Sequence, residues 1–219
     1  ELEEAATFYL GLSRDIGQIS KKDFPLPSFS SYIKRLKHKL LNGVGVEVIR
    51  GLPVHSYSQE FAATIFCGLG SHLGSARSQN AQGHILGHVR NTGATSQNTN
   101  TRIYQTSERQ TFHTDSADVV GLLCIRQAKE GGTSLLVSVE TIYNQIQLRS
   151  PRLVSHLFKP IATDRRGEVP EGAEPFFEIP VLNWYKGYLT AMYQRQYIDS
   201  AQQFSGAKKL TKDQIEALD

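Results

Sequence analysis

His113 and Asp115 stand two residues apart in Phe112-His113-Thr114-Asp115. On an extended segment, residues i and i+2 point to the same face, so an imidazole nitrogen and a carboxylate oxygen converge on one point. That donor set suits a divalent transition metal. It makes up two of the three ligands of the two-His, one-carboxylate arrangement that holds Fe(II) with open positions for small ligands. A His-x-Asp tripeptide by itself is more often an ordinary surface pair, so its surroundings have to carry the argument.

Other reactive residues have plainer readings. His84 and His88 are four apart, a spacing that binds metal on a helix, but Gly83 and Gly87 precede them and make a helix improbable. They read as loop or strand-edge histidines. His156 lies in a stretch whose Leu153, Val154 and Leu157 mark a helix face, and it reads as a helix-face histidine. Cys67 and Cys124 both fall inside apolar runs, which fits buried thiols better than a disulfide. The basic run Lys34-Arg35-Leu36-Lys37-His38-Lys39 has Ile33, Leu36 and Leu40 at helical spacing and is the solvated side of an amphipathic helix.

The elements that must position His113 and Asp115 follow from periodicity. An amphipathic helix spans 30–41 and stops at Asn42-Gly43. Val44, Val46 and Val48 alternate with Gly45 and Glu47 as in a half-buried strand, and Phe61, Ile65, Phe66 and Leu69 then recur at helical spacing. From Gly70 to Gln110 the composition turns polar. Most of it should be loop, with short strands near 85–90 and 102–105 and the part at 77–93 lying over the site. Residues 119–125 (VVGLLCI) form an apolar run suited to a strand buried on both faces, followed by a turn at Glu130-Gly131-Gly132 and a strand at 134–138. A helix runs through Ile142 and Ile146, Ser150-Pro151 opens a second, and strands at 176–182 and 187–193 flank a turn at Lys186-Gly187. Thr211 and Gln214 make a capping box for a last helix.

Taken as a whole, 109–138 (RQTFHTDSADVVGLLCIRQAKEGGTSLLVS) resembles the taurine dioxygenase-like (TauD/TfdA) family of Fe(II)/2-oxoglutarate-dependent oxygenases. The family's aromatic residue, H-[TS]-D, apolar strand, Gly-Gly turn and small hydroxyl residue match Phe112, His113-Thr114-Asp115, 119–125, Gly131-Gly132 and Ser134. Ile179-Pro180-Val181, Gly187-Tyr188-Leu189 and Tyr193-Gln194-Arg195-Gln196-Tyr197 extend the likeness over most of 40–219. The resemblance implies an α+β, β-rich chain: a double-stranded β-helix (a jelly-roll, cupin-like barrel) with flanking helices, residues 1–219 forming a single oxygenase domain. It also implies Fe(II) and 2-oxoglutarate as cofactors, with O2 and a small polar organic molecule as substrates. By position, His113 and Asp115 are metal ligands and Ser134 binds 2-oxoglutarate, with Thr133 the alternative if the register slips by one.

Arg109, Asp118 and Tyr197 are the substrate-side residues the resemblance suggests, Asp118 as partner of an amine. Each also has a bland reading: a solvated loop arginine, a hydrogen-bonded carboxylate, an aromatic packed in the core. The family's second His, and the Arg that grips the distal carboxylate of 2-oxoglutarate, are expected beyond Asp219. His156 with Arg165 and Arg166 is not taken to replace them.

Bulk composition narrows the alternatives. A net charge of 24 − 21 = +3 is too small and too dispersed to argue for nucleic acid, and 39% hydrophobic with 21% charged residues is that of a soluble globular domain. No membrane partner is expected, cytoplasm is the default location, and a homo-oligomer is compatible. Two competing readings are a cupin-like metalloenzyme that does not use 2-oxoglutarate and a non-catalytic ligand-binding barrel with a degenerate site. A halogenating variant is disfavoured by the carboxylate of Asp115.

Overall fold

The computed structural model describes residues 1–80, 82–95 and 101–219. Parts of the expected polar loop, at Ala81 and 96–100, lie outside the described residues. The chain divides into two compact units: Glu1–His88 with Ala117–Thr133, and Val89–Ser116 with Ser134–Asp219.

The first unit is built on helices α1 (Leu2–Gly11), α2 (Ser30–Asn42) and α3 (Gln59–Leu73). Ser58 caps α3 by accepting a hydrogen bond from the Phe61 N–H, which satisfies one of the open donors of a helix start. Ala5, Ala6, Tyr9, Phe24, Leu26, Ile33 and Ile65 form its core. Gly68 lets α3 approach the Phe24 ring closely, since a Cβ there would run into it. The His72 ring ties the end of α3 to the Phe24 carbonyl at 2.7 Å.

The second unit carries the strands. The β1 strand (Pro160–Asp164) pairs antiparallel with β2 (Phe176–Pro180), and β3 (Leu182–Tyr185) pairs antiparallel with β4 (Tyr188–Ala191). The β3–β4 hairpin turns on Lys186 (φ 50°) and Gly187 (φ 86°), both left-handed, as a tight two-residue turn requires. Helices α4 (Val139–Arg149), α5 (Pro151–Leu157), α6 (Arg195–Ala201) and α7 (Lys212–Leu218) complete the unit. Its core joins Leu153, Leu157, Ile161, Val181, Leu182, Ile198 and Leu218.

Several expectations hold. The three helices expected at 30–41, through Phe61–Leu69 and through Ile142–Ile146 are present, and the Thr211–Gln214 capping box is reciprocal, at 3.2 and 3.0 Å. Others need correction. The apolar segments 44–48, 119–125 and 134–138 form no strand, and they are exposed: Val44 by 73%, Leu122 by 77% and Leu136 by 74%. Alternation or apolar run predicts a buried strand only where a neighbour supplies the hydrogen bonds and the cover, and none does so here among the described residues. The expected strands near 85–90 and 102–105 are likewise irregular, with a short 3-10 turn at Ile103–Gln105. Two backbone hydrogen bonds, Arg90 N–H to the Tyr104 carbonyl and Thr92 N–H to the Gln105 carbonyl, still join these stretches. Ser150 precedes α5 without a side-chain capping bond. Cys124 is exposed rather than buried, in line with the missing strand around it, and Cys67 is half-buried. Of the barrel that the resemblance implies, the described residues show only two separate two-stranded sheets.

Candidate metal centre

His113 sits in the second unit on an extended segment held by residues 192–194. It forms an isolated antiparallel bridge with Gln194. The Thr114 N–H donates to the Tyr193 carbonyl at 2.8 Å, and the Tyr193 N–H donates back to Thr114 Oγ1 at 2.8 Å. With Thr114 clamped on one side, His113 and Asp115 emerge together on the other. Their Nε2 and Oδ1 atoms are 3.9 Å apart.

The other ring nitrogen decides what His113 offers. Nδ1 lies 2.8 Å from the Thr111 carbonyl, an acceptor only, so it carries the proton and donates. The lone pair is therefore on Nε2, the atom facing Asp115. A carbonyl fixing Nδ1–H is the usual support of a metal-bound histidine. In this state the Gln110 side-chain amide, 3.0 Å away, donates to Nε2 and would have to release it. Asp115 is exposed and can turn toward an ion. A neutral imidazole and a carboxylate thus fit a divalent metal as two of its ligands. Among the described residues no group of three His, Cys, Asp or Glu side chains gathers for a third.

The remaining site residues are spread out. Arg109 and Ser134 belong to the same unit as His113 and are exposed, and among the described residues neither bonds to His113 or Asp115. Asp118 is exposed and belongs to the first unit. Tyr197 lies on the first turn of α6, where its N–H donates to the Gln194 carbonyl at 3.0 Å, three residues from the bridge to His113. His156 is on α5, 3.6 Å from Asp213 of α7, and serves helix packing as its spacing suggested.

Sequence reasoning missed the surroundings of Tyr197. Arg102 donates from Nη1 to the Tyr197 hydroxyl at 2.7 Å and from Nη2 to Glu168 at 2.6 Å, while Arg102 and Arg166 both lie over the Tyr197 ring, each 5.5 Å from its centroid. Burial works against the charge on Arg102, yet its bonds to Glu168 and Tyr197 keep its pKa above the ordinary value. The one signal available was Asp164-Arg165-Arg166-Gly167, a turn composition with two guanidinium groups.

Comparison with known proteins fits this geometry. The model of the taurine catabolism dioxygenase TauD, TfdA family matches residues 10–219. The chain belongs to the TauD/TfdA family. Within this family of dioxygenases, the chain is 30% identical over 218 residues to FR-33289 synthase of Streptomyces rubellomurinus (strain ATCC 31215), covering 99% of this chain and 63% of that protein. It is 26% identical over 201 residues to the taurine hydroxylase-like protein SAT17 of Stachybotrys chartarum (strain CBS 109288 / IBT 7711), covering 89% of this chain and 51% of that one. The chain therefore spans between half and two thirds of the length of these TauD/TfdA relatives. Among the described residues no helix is long and apolar enough to cross a membrane.

Proposed function

We propose that this TauD/TfdA chain forms the iron- and 2-oxoglutarate-binding part of a dioxygenase that oxidises a small polar organic substrate, by hydroxylation, desaturation or oxidative cyclisation. The observation that carries this reading is the orientation of His113, with Nδ1–H bound to Thr111 and Nε2 turned to Asp115. The two side chains hold the metal. When bound, iron and 2-oxoglutarate supply the oxidation of a C–H bond by O2, with conversion of 2-oxoglutarate to succinate and CO2.

The chain's own residues bind and orient. Ser134 would bind the distal carboxylate of 2-oxoglutarate through its hydroxyl. Arg109 and Tyr197 are the substrate-side residues of the second unit. The clamp between Thr114 and Tyr193 keeps the metal ligands on one face while these partners exchange.

Anaerobic titration of the full-length protein with Fe(II) and 2-oxoglutarate tests the reading. A weak visible charge-transfer band that needs both ligands, and disappears in Asp115→Ala, is the expected result. Metal binding without any response to 2-oxoglutarate would instead indicate a metalloenzyme of another type, and no metal binding a ligand-binding barrel.

A further inference from the structure

The Arg102–Arg166–Tyr197 cluster contains a donor that the described residues leave unused. Arg166 Nε is buried and, among the described residues, has no hydrogen-bond partner, although the side chain as a whole is 14% exposed. A buried unpaired N–H is costly, and in a charged group more so, which makes it a feature in need of a partner. The backbone places this guanidinium at a price of its own. Arg166 has φ 54° and is followed by Gly167 at φ 80°, and a left-handed arginine is uncommon.

The acceptors nearby are largely committed. Asp164 accepts the Arg166 backbone N–H through Oδ1 at 2.7 Å and the Ser200 hydroxyl through Oδ2, which leaves it 4.0 Å from Arg166 Nη1. Glu168 pairs with Arg102 and is 45% exposed, so it can swing into solvent. Two guanidinium groups thus converge on one aromatic ring, with one N–H unpaired and one carboxylate free to leave. Arginine's planar fork matches the paired oxygens of an oxyanion. The backbone links the cluster to the proposed metal pair. Tyr197 follows Gln194 by three residues, and Gln194 bridges to His113.

We propose that Arg166 and Arg102, braced on the Tyr197 ring, bind an anionic group of the substrate, with Glu168 occupying Arg102 until that group arrives. This rests on the reading of Tyr197 as a substrate-side residue. It assigns the substrate an oxyanion, and it makes Glu168 a gate that lowers affinity for small competing anions.

Arginine Nε–H resonances of the metal-free, full-length protein report on the site directly. Methanesulfonate and acetate serve as probes at constant ionic strength with chloride as balance. At least one is expected to shift the Arg102 and Arg166 Nε–H signals saturably. Arg166→Gln should weaken binding tenfold or more, while Arg165→Gln, whose Nε is held by the Glu174 carbonyl, should leave it unchanged. Glu168→Gln removes the resident carboxylate from an exposed position and should tighten binding at least threefold. That gain decides the matter even if Arg166→Gln does not fold. Lack of saturable shifts in both the wild-type protein and Glu168→Gln would overturn the proposal. So would displacement of the probe by 2-oxoglutarate, which would make this a cosubstrate site. Because metal is absent, failure here is distinguishable from failure of the iron and 2-oxoglutarate titration.

Discussion

Thr114 and Tyr193 exchange a pair of 2.8 Å hydrogen bonds, one through backbone atoms and one through the threonine hydroxyl. The residue between His113 and Asp115, the proposed ligands, is thereby the one that fixes them. Thr114→Val keeps the shape but leaves the Tyr193 N–H without its acceptor, at a cost of about 1–2 kcal/mol at this half-buried position. Urea unfolding should show that loss, and Fe(II) affinity should fall with it. Thr114→Ser should restore both.

In the first unit, Gly68 answers to Phe24. Alanine in the middle of α3 would gain roughly 1 kcal/mol of helix propensity. Its Cβ would meet the ring of the fully buried Phe24, and overpacking of this kind costs about 1–3 kcal/mol or more. Gly68→Ala is therefore expected to lower the thermal midpoint. Adding Phe24→Leu should destabilise the Gly68→Ala protein less than it destabilises the parent.

The two cysteines should differ in reactivity. Burial pushes the Cys67 thiol up to about 11, whereas Cys124 is exposed. At pH 8 a disulfide reagent should label one thiol rapidly and the second only after denaturant is added. Cys124→Ser should abolish the rapid phase. Rapid labelling of Cys67 would contradict the packing of α3.

Asp23 gives the first unit an acid-sensitive contact. Its carboxylate accepts the Ser20 hydroxyl at 2.6 Å and Arg14 Nη1 at 3.1 Å, and the Ser20 bond leads in holding its pKa below the ordinary 3.8. A folded-state pKa below the unfolded one contributes stability that is present above about pH 4 and is lost as pH falls through the folded value. Asp23→Asn should therefore be less stable than the parent at pH 7. The difference should vanish in unfolding curves taken below the ordinary carboxylate range.

Helices α2, α3, α4, α5 and α7 were legible because their hydrogen bonds are internal and their signals local, whereas α1 and α6 went unread. The Ile33 and Leu36 spacing on α2 and the Thr211–Gln214 box on α7 each need only a few neighbouring residues. Strands were less so. Val44-Gly45-Val46 and 119–125 announce an apolar surface, but pairing and cover come from residues far along the chain, and the described residues leave both segments exposed. β1 went unread because Pro160–Asp164 follows α5 directly, and its strand character comes from pairing with β2.

The sequence by itself determined the identity and spacing of the candidate pair His113 and Asp115, and the family. Two side chains on one extended face need no long-range information. Tertiary structure decided what those groups can do. Thr111 sets the His113 tautomer, Tyr193 clamps the residue between the ligands, and a left-handed turn brings Arg166 to Tyr197. Tautomer, clamp and cluster all depend on atoms the chain brings together only by folding, because a hydrogen bond forms only when donor and acceptor come within about 3 Å.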